Sequence, residues 1–553
     1  HLAEYLFLRI RRPAEKAPCC CYRHRLLATL DQALKFKPLK RAKILSQHHR
    51  KFMSIVKRCH QNKGVEGLDL VKEKSYSKWL VLFNVGLGTL MTTISAGVTN
   101  TALPFIATDF NVSLEIVQWV VSAYLLVIAS ILPIFGKAAD IKGKKIIYRT
   151  GLLVFTTGSI LCSFAPSALM LIIFRIVQAL GASMIMANTL AIISSVFPDT
   201  ERGQALGISN TVVAIGTLLG PSIGGFLIDL FDWRSVFWFV VPIGIVAYIT
   251  SYKILPELKP QKADVEFDGT GALLFTLAML LFTLGISNGN EYSWNSYVIG
   301  AIILSIVFAV IFIFNEKRHA SPLIDLSLFQ NKMLVCGILA NFFSFLGLIS
   351  INFLMPFYLQ EVLALPASEM GIMLTAIPLA MGITAPFAGR IADKIQPSYV
   401  ATCGLVVSLL GQLSLLGLGL HSLKMDIYLR LFIIGVGRGA FHAPNNSAIM
   451  GSVAESKFGV VGSLISLVRN VASVLGIALT VSVFGNVHSA KLAAELAAKP
   501  ASQDILSAIV EKQIFIESFH AVMVVTSLIL VCGIIASLVR KKEVIESSES
   551  RGR

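Results

Sequence analysis

GKAAD at Gly136–Asp140 returns as GRIAD at Gly389–Asp393. Each copy stands where a long apolar run gives way to a polar loop, so the number of runs between them decides the architecture. Fourteen runs of roughly 18 to 25 apolar residues, enough to cross a hydrocarbon core as helix, occupy approximately 79-107, 115-136, 146-164, 169-196, 204-230, 236-254, 269-286, 297-314, 334-358, 369-388, 399-420, 427-450, 460-484 and 519-539. The first copy follows run two and the second follows run ten. Asn188 in run four and Asn445 in run twelve repeat at the same offset of eight. A duplicated six-helix half would give an offset of six. Two helices are therefore inserted between the halves, and six plus two plus six accounts for the fourteen.

The composition agrees. Of 553 residues, 55% are hydrophobic and 14% charged, and mean hydropathy is +0.73, far from the quarter of charged residues common in soluble domains. The spans must be helical, because lipid offers no partner for backbone amides and the alternation of a membrane barrel is missing. The organisation expected is a basic arm over 1-78, an N-terminal bundle over 79-255, a linker with two extra helices over 256-330, a C-terminal bundle over 331-540 and a tail over 541-553. Lys and Arg concentrate in alternate loops, the densest being KAADIKGKKIIYR at Lys137–Arg149. By the positive-inside rule that side and both termini are cytoplasmic, in a cell membrane.

The formal charge of +16 suggests an acidic partner until it is located. Residues 1-78 hold 19 Lys/Arg against 6 Asp/Glu, leaving about +3 for the rest, so nucleic acid is not expected. The arm carries Cys19, Cys20 and Cys21 beside His24, without a second ligand pair at zinc spacing. It reads either as a membrane-surface or palmitoylated segment or as sequence ahead of a start near Met53. No metal or cofactor is expected, and no nucleotide-binding G-x-x-x-x-G-K-[ST] pattern occurs.

Several motifs in order resemble the fourteen-helix drug:proton antiporter branch of the major facilitator superfamily: NTALP in run one, VQWVVSAYLL (Val117–Leu126), GKAADIKGKK, RIVQALGAS (Arg175–Ser183), GTLLGPSIGG (Gly216–Gly225), WRSVFWFVVPIG (Trp233–Gly244), PLIDLSLF (Pro322–Phe329) and APNNSAIMGSV (Ala443–Val453). The resemblance covers about Trp79 to Val539. It implies an all-α fold of two six-helix bundles that rock about a central site, monomeric, with a small-molecule substrate and protons as partners. It also implies a gating role for Gly136, Asp140, Lys144, Gly389, Arg390 and Asp393, and export for a chain bearing the glycine motif.

The residues can be read on their own chemistry as well. Gly216, Gly220 and Gly224 recur every four residues and leave a helix stripe without side chains, with Pro221 and Gly225 beside it, suited to close approach of another helix. A carboxylate at Asp140 among lysines can pair with cations or a helix N-terminus; a solvated surface charge is the plain alternative. Intramembrane charges point to function, and Arg175 lies on run four three residues before Gln178; Gln118 and Trp119 of the VQW motif, Asn188 and Asn445 are counted with them as cavity or coupling candidates. The resemblance couples this arginine to proton movement; bonding to carbonyls would make it structural. Arg438, His442 and Asn445 share one helix face at i, i+4 and i+7, and Arg469 follows on the next helix.

ISAGVTNTALP (Ile94–Pro104) completes the set. Thr92, Ser95 and Thr99 follow helical spacing with Asn100 adjoining, so this strip is expected to line the central cavity. Much of the family has aspartate where Ser95 stands, and no Asp or Glu lies near the middle of any run. The expected function is proton-coupled export of amphipathic molecules. A carrier of an anionic or neutral metabolite and a transporter-shaped sensor using the arm and the Gly485–Ser518 loop are the alternatives.

Overall fold

The computed structural model describes residues 77–256, 268–288, 295–319, 326–453, 458–498 and 508–551. The basic arm with its cysteine run, part of the PLIDLSLF motif and part of the Gly485–Ser518 loop lie outside the described residues. Among the described residues fourteen long helices follow one another: α1 (Lys78–Phe110), α2 (Trp119–Lys142), α3 (Lys144–Ser163), α4 (Ala168–Val196), α5 (Asp199–Leu230), α6 (Ser235–Ile254), α7 (Gly269–Asn288), α8 (Ser296–Arg318), α9 (Lys332–Phe357), α10 (Ala376–Lys394), α11 (Pro397–Ser414), α12 (Lys424–Met450), α13 (Phe458–Ala498) and α14 (Ala508–Arg551). Among the described residues 13 helices are long and apolar enough to cross a membrane. The run expected at 427-450 is helical as α12 but is not one of the 13. Its charged first turns and its polar stripe at Arg438, His442 and Asn445 dilute the apolar character. It is sheltered between α10 and α11, where polar residues meet protein instead of lipid.

Small residues set the repeat. In the first bundle α3 and α4 approach so closely that a Cβ on Gly181 would lie 2.3 Å from the Phe155 amide. In the second, a Cβ on Gly404 of α11 would lie 2.5 Å from the Phe441 amide of α12. The same helix pair of each half is thus packed backbone to backbone. The inserted pair α7 and α8 pack on each other, and α7 also touches α2 and α13. They lie on the outside of the seam between the bundles.

α1 answers why a membrane segment should be polar without charge. The Thr99 hydroxyl donates to the Ser95 carbonyl at 2.7 Å and that of Thr92 to the Thr89 carbonyl at 2.9 Å, so each satisfies itself on its own helix. Gly97 between them takes the approach of α5, where Gly220 Cα would sit 3.0 Å from its Cβ.

Candidate translocation site

The two ends of the molecule differ. One end, here the lysine-rich face, carries Lys137, Lys142, Lys144 and Lys145 at the junction of α2 and α3. Gly143 makes that turn at φ 100°, where a side chain would be strained. A Cβ added at Gly136, Gly203, Gly207, Gly382 or Gly389 would meet nothing within 4 Å. Asp140, Arg390 and Asp393 are exposed, and neither they nor Lys144 have a hydrogen bond or ion pair to another described residue. No hydrogen bond or ion pair therefore joins the two expected gate loops among the described residues. Lys137 is different: the carboxylates acting on it are Asp268, Glu316 and Asp140. Asp268 and Glu316, on the inserted segment, are only 2% and 3% exposed. Asp268 also accepts from the Gly271 amide and the Asn315 amide nitrogen, each at 2.7 Å.

At the opposite face the bundles are in contact. The glycine motif of α5 serves two partners. A Cβ on Gly216, Gly220 or Gly224 would press into Thr93, Gly97 and Val98 of α1, which seats α5 in its own bundle. Pro221 and Gly225 face a short helix, Ala367–Leu374, that precedes α10 in the other bundle. A Cβ on Gly225 would lie 2.1 Å from the Ala367 carbonyl, and one on Gly371 would lie 2.3 Å from that of Pro221. Asp229, one turn beyond Gly225, accepts from the Ala367 amide at 3.0 Å and the Ser368 amide at 2.8 Å. A carboxylate from one bundle caps a helix of the other, meeting its free amides and its dipole together.

Arg175 is buried inside the first bundle at 1% exposure. Its Nε donates to the Val120 carbonyl at 3.1 Å and its Nη1 to Gln178 Oε1 at 2.5 Å. The guanidinium lies 4.0 Å over the Tyr124 ring, an attraction that strengthens when water is excluded. Gln178 Nε2 donates to Ser159 Oγ at 2.7 Å and to Ser95 Oγ at 3.3 Å. Ser95 therefore faces α4; both Ser95 and Thr99 are enclosed, while Asn100 is half-buried.

The second bundle is arranged otherwise. His442 packs on Phe345 with centroids 4.8 Å apart, and the Arg438 guanidinium is 5.9 Å from the same ring. The charges acting on His442 are Arg438 and Arg469. Asn445, a turn further along α12, donates to the Gly337 carbonyl of α9 at 3.2 Å, whereas its counterpart Asn188 donates within α4 to Met184 at 2.8 Å. Gln118 and Trp119 stand at the start of α2, and the Gln118 side-chain nitrogen donates to the Glu115 carbonyl at 3.1 Å. They belong to the closed end. Sequence reading missed the cap at Asp229 and the grouping of Asp268, Glu316 and Lys137, although Asp229 is the first acid after GPSIGG.

Two repeated helical bundles in contact at one end, with open space around Gly136 and Gly389 at the other and buried polar groups between the ends, define a polytopic carrier. The profile of the Major Facilitator Superfamily matches residues 85–477 and 337–551, and the chain belongs to that family of membrane transporters. The riboflavin transporter RibZ of Clostridioides difficile is 36% identical over 410 residues, covering 74% of this chain and 88% of that one. The multidrug transporter protein MdtP of Bacillus subtilis is 29% identical over 448 residues, covering 80% and 82%. Among solved structures, a bacterial homolog of the human lysosomal transporter Spinster, inward-facing and unoccupied, matches with a TM-score of 0.60 at 16% identity, over 84% of this chain and 98% of that one. A peptide transporter, POT, in complex with sulfate matches with a TM-score of 0.56 at 14% identity, over 81% and 93%. At such identities these two show the fold alone.

Proposed function

We propose that this transporter exports amphipathic small molecules from the cytoplasm by alternating access, driven by a proton gradient. The lysine-rich face is cytoplasmic in this reading, in a cell membrane, with both termini on that side. The observation that carries it is the asymmetry of the two ends: Asp229, Gly225 and Gly371 shut the outer face, while Gly136 and Gly389 face open space on the inner one. A cavity loaded from inside and sealed outside is the state in which an exporter takes up its solute. Rocking would uncap Asp229 and bring the Asp140 and Asp393 loops against the other bundle.

The multidrug relative supports amphipathic compounds as cargo. The riboflavin relative supports a second reading, a carrier of a flat aromatic metabolite. Everted vesicles holding the protein test export: a fluorescent amphipathic compound should accumulate when a proton gradient is imposed and leak back when it is dissipated. Accumulation equal to that of vesicles without the protein, across cationic, neutral and anionic compounds, would reject it.

A further inference from the structure

Three arginines lie deep in the membrane helices, and their partners divide them. Arg175 has a carbonyl, an amide oxygen and a ring face. The guanidinium groups of Arg438 and Arg469 donate to no other described residue. The buried Arg438 Nε in particular lacks a partner, and both side chains are half-buried, so they border open space. A guanidinium presents five N–H donors, and leaving such a charge unpaired away from water costs several kcal/mol. No carboxylate acts on either group among the described residues.

Their positions coincide in depth. Counting 1.5 Å per residue from the inner ends of α12 and α13, Arg438 is about 18 Å in and Arg469 about 16 Å, near the middle of a roughly 30 Å core. Phe345 and His442 add two flat rings alongside. We propose that Arg438, Arg469 and His442, on the transport path read above, form a binding site for the oxyanion of an aromatic solute, its carboxylate on the guanidinium groups and its ring against Phe345. Planar guanidinium forks match a carboxylate in bidentate geometry.

The test is calorimetric titration of the purified full chain with 2-naphthoate, its neutral amide, the cationic 2-naphthylmethylammonium and inorganic sulfate. Naphthoate should bind at least about tenfold more tightly than the amide or the ammonium, and Arg438→Gln or Arg469→Gln should each remove that preference, a change of about 1.4 kcal/mol, with amide binding unaltered. Phe345→Leu should weaken naphthoate but not sulfate. Arg438→Lys and Arg469→Lys, which keep the charge, should retain part of the preference and serve if the glutamine variants do not fold. Preference for the ammonium, or glutamine variants that bind naphthoate like the parent, would overturn the site. Sulfate bound as tightly as naphthoate would overturn the aromatic solute. Naphthoate binding without gradient-driven efflux would reject export and leave the site standing; efflux of a compound with no preference for naphthoate would do the reverse.

Discussion

Asp229→Ala should free the outer face to open. The carboxylate accepts two amides of the short helix across the interface, at 3.0 and 2.8 Å, and these are the contacts that separation of the bundles must break. In the open state water replaces both partners, so the relevant energy is that of an N-cap and not of bare hydrogen bonds. Losing such a cap costs about 1 kcal/mol, within a range of roughly 0.5–2, and the lost charge at the helix N-terminus about 0.3–1 more at an exposed site. The sum, about 1–2 kcal/mol, corresponds to roughly a 5- to 30-fold rise in the outward-open population. Ser222→Cys on α5 reports it, because Ser222 is packed beside Gly371 in the closed state. In a background free of other reactive cysteines, its labelling by an impermeant maleimide from outside should accelerate by that factor in Asp229→Ala, and by less in Asp229→Asn, which keeps an acceptor. An unchanged labelling rate would refute Asp229 as the outer latch.

Other expectations follow from the same geometry. Gly225→Val should trap the outer face open, since even a Cβ would lie 2.1 Å from the Ala367 carbonyl; transport should stop while the protein stays folded by gel filtration. Arg175→Leu should lower thermal stability, because it strips the Val120 carbonyl and Gln178 of their donor, a loss of about 1–3 kcal/mol, whereas Arg438→Gln should leave the melting temperature close to that of the parent. Asp140→Asn should slow flux with substrate affinity nearly unchanged, as read from saturation curves in vesicles.

Run lengths and the GKAAD/GRIAD offset made the helix order and the inserted pair legible, because crossing a bilayer imposes a length and a repeat leaves its spacing behind. The helical face of Arg438, His442 and Asn445 was legible for the same geometric reason. Its cost to apolarity was not anticipated, and α12 falls short of the other spans on that account. Partners were harder to read. Arg175 and Arg438 are alike as letters in an apolar run, and only the neighbouring helices reveal that one is satisfied and the other open. The Thr92, Ser95 and Thr99 strip has a clear period, but period does not say which neighbour each residue meets; Ser95 meets Gln178 of α4. Asp229 reaches a helix about 140 residues along the chain, a contact that local pattern cannot encode.

Alternating access is the central claim, and two distances measured together test it most directly. Spin labels at Leu230 and Ala364 report the outer ends of the bundles, and labels at Lys142 and Lys394 the inner ends; all four positions are exposed. In reconstituted protein without solute the outer pair should be close and the inner pair apart. Imposing a proton gradient with solute present should lengthen the first distance and shorten the second in the same population. Distances that stay fixed, or that lengthen together at both ends, would contradict the account.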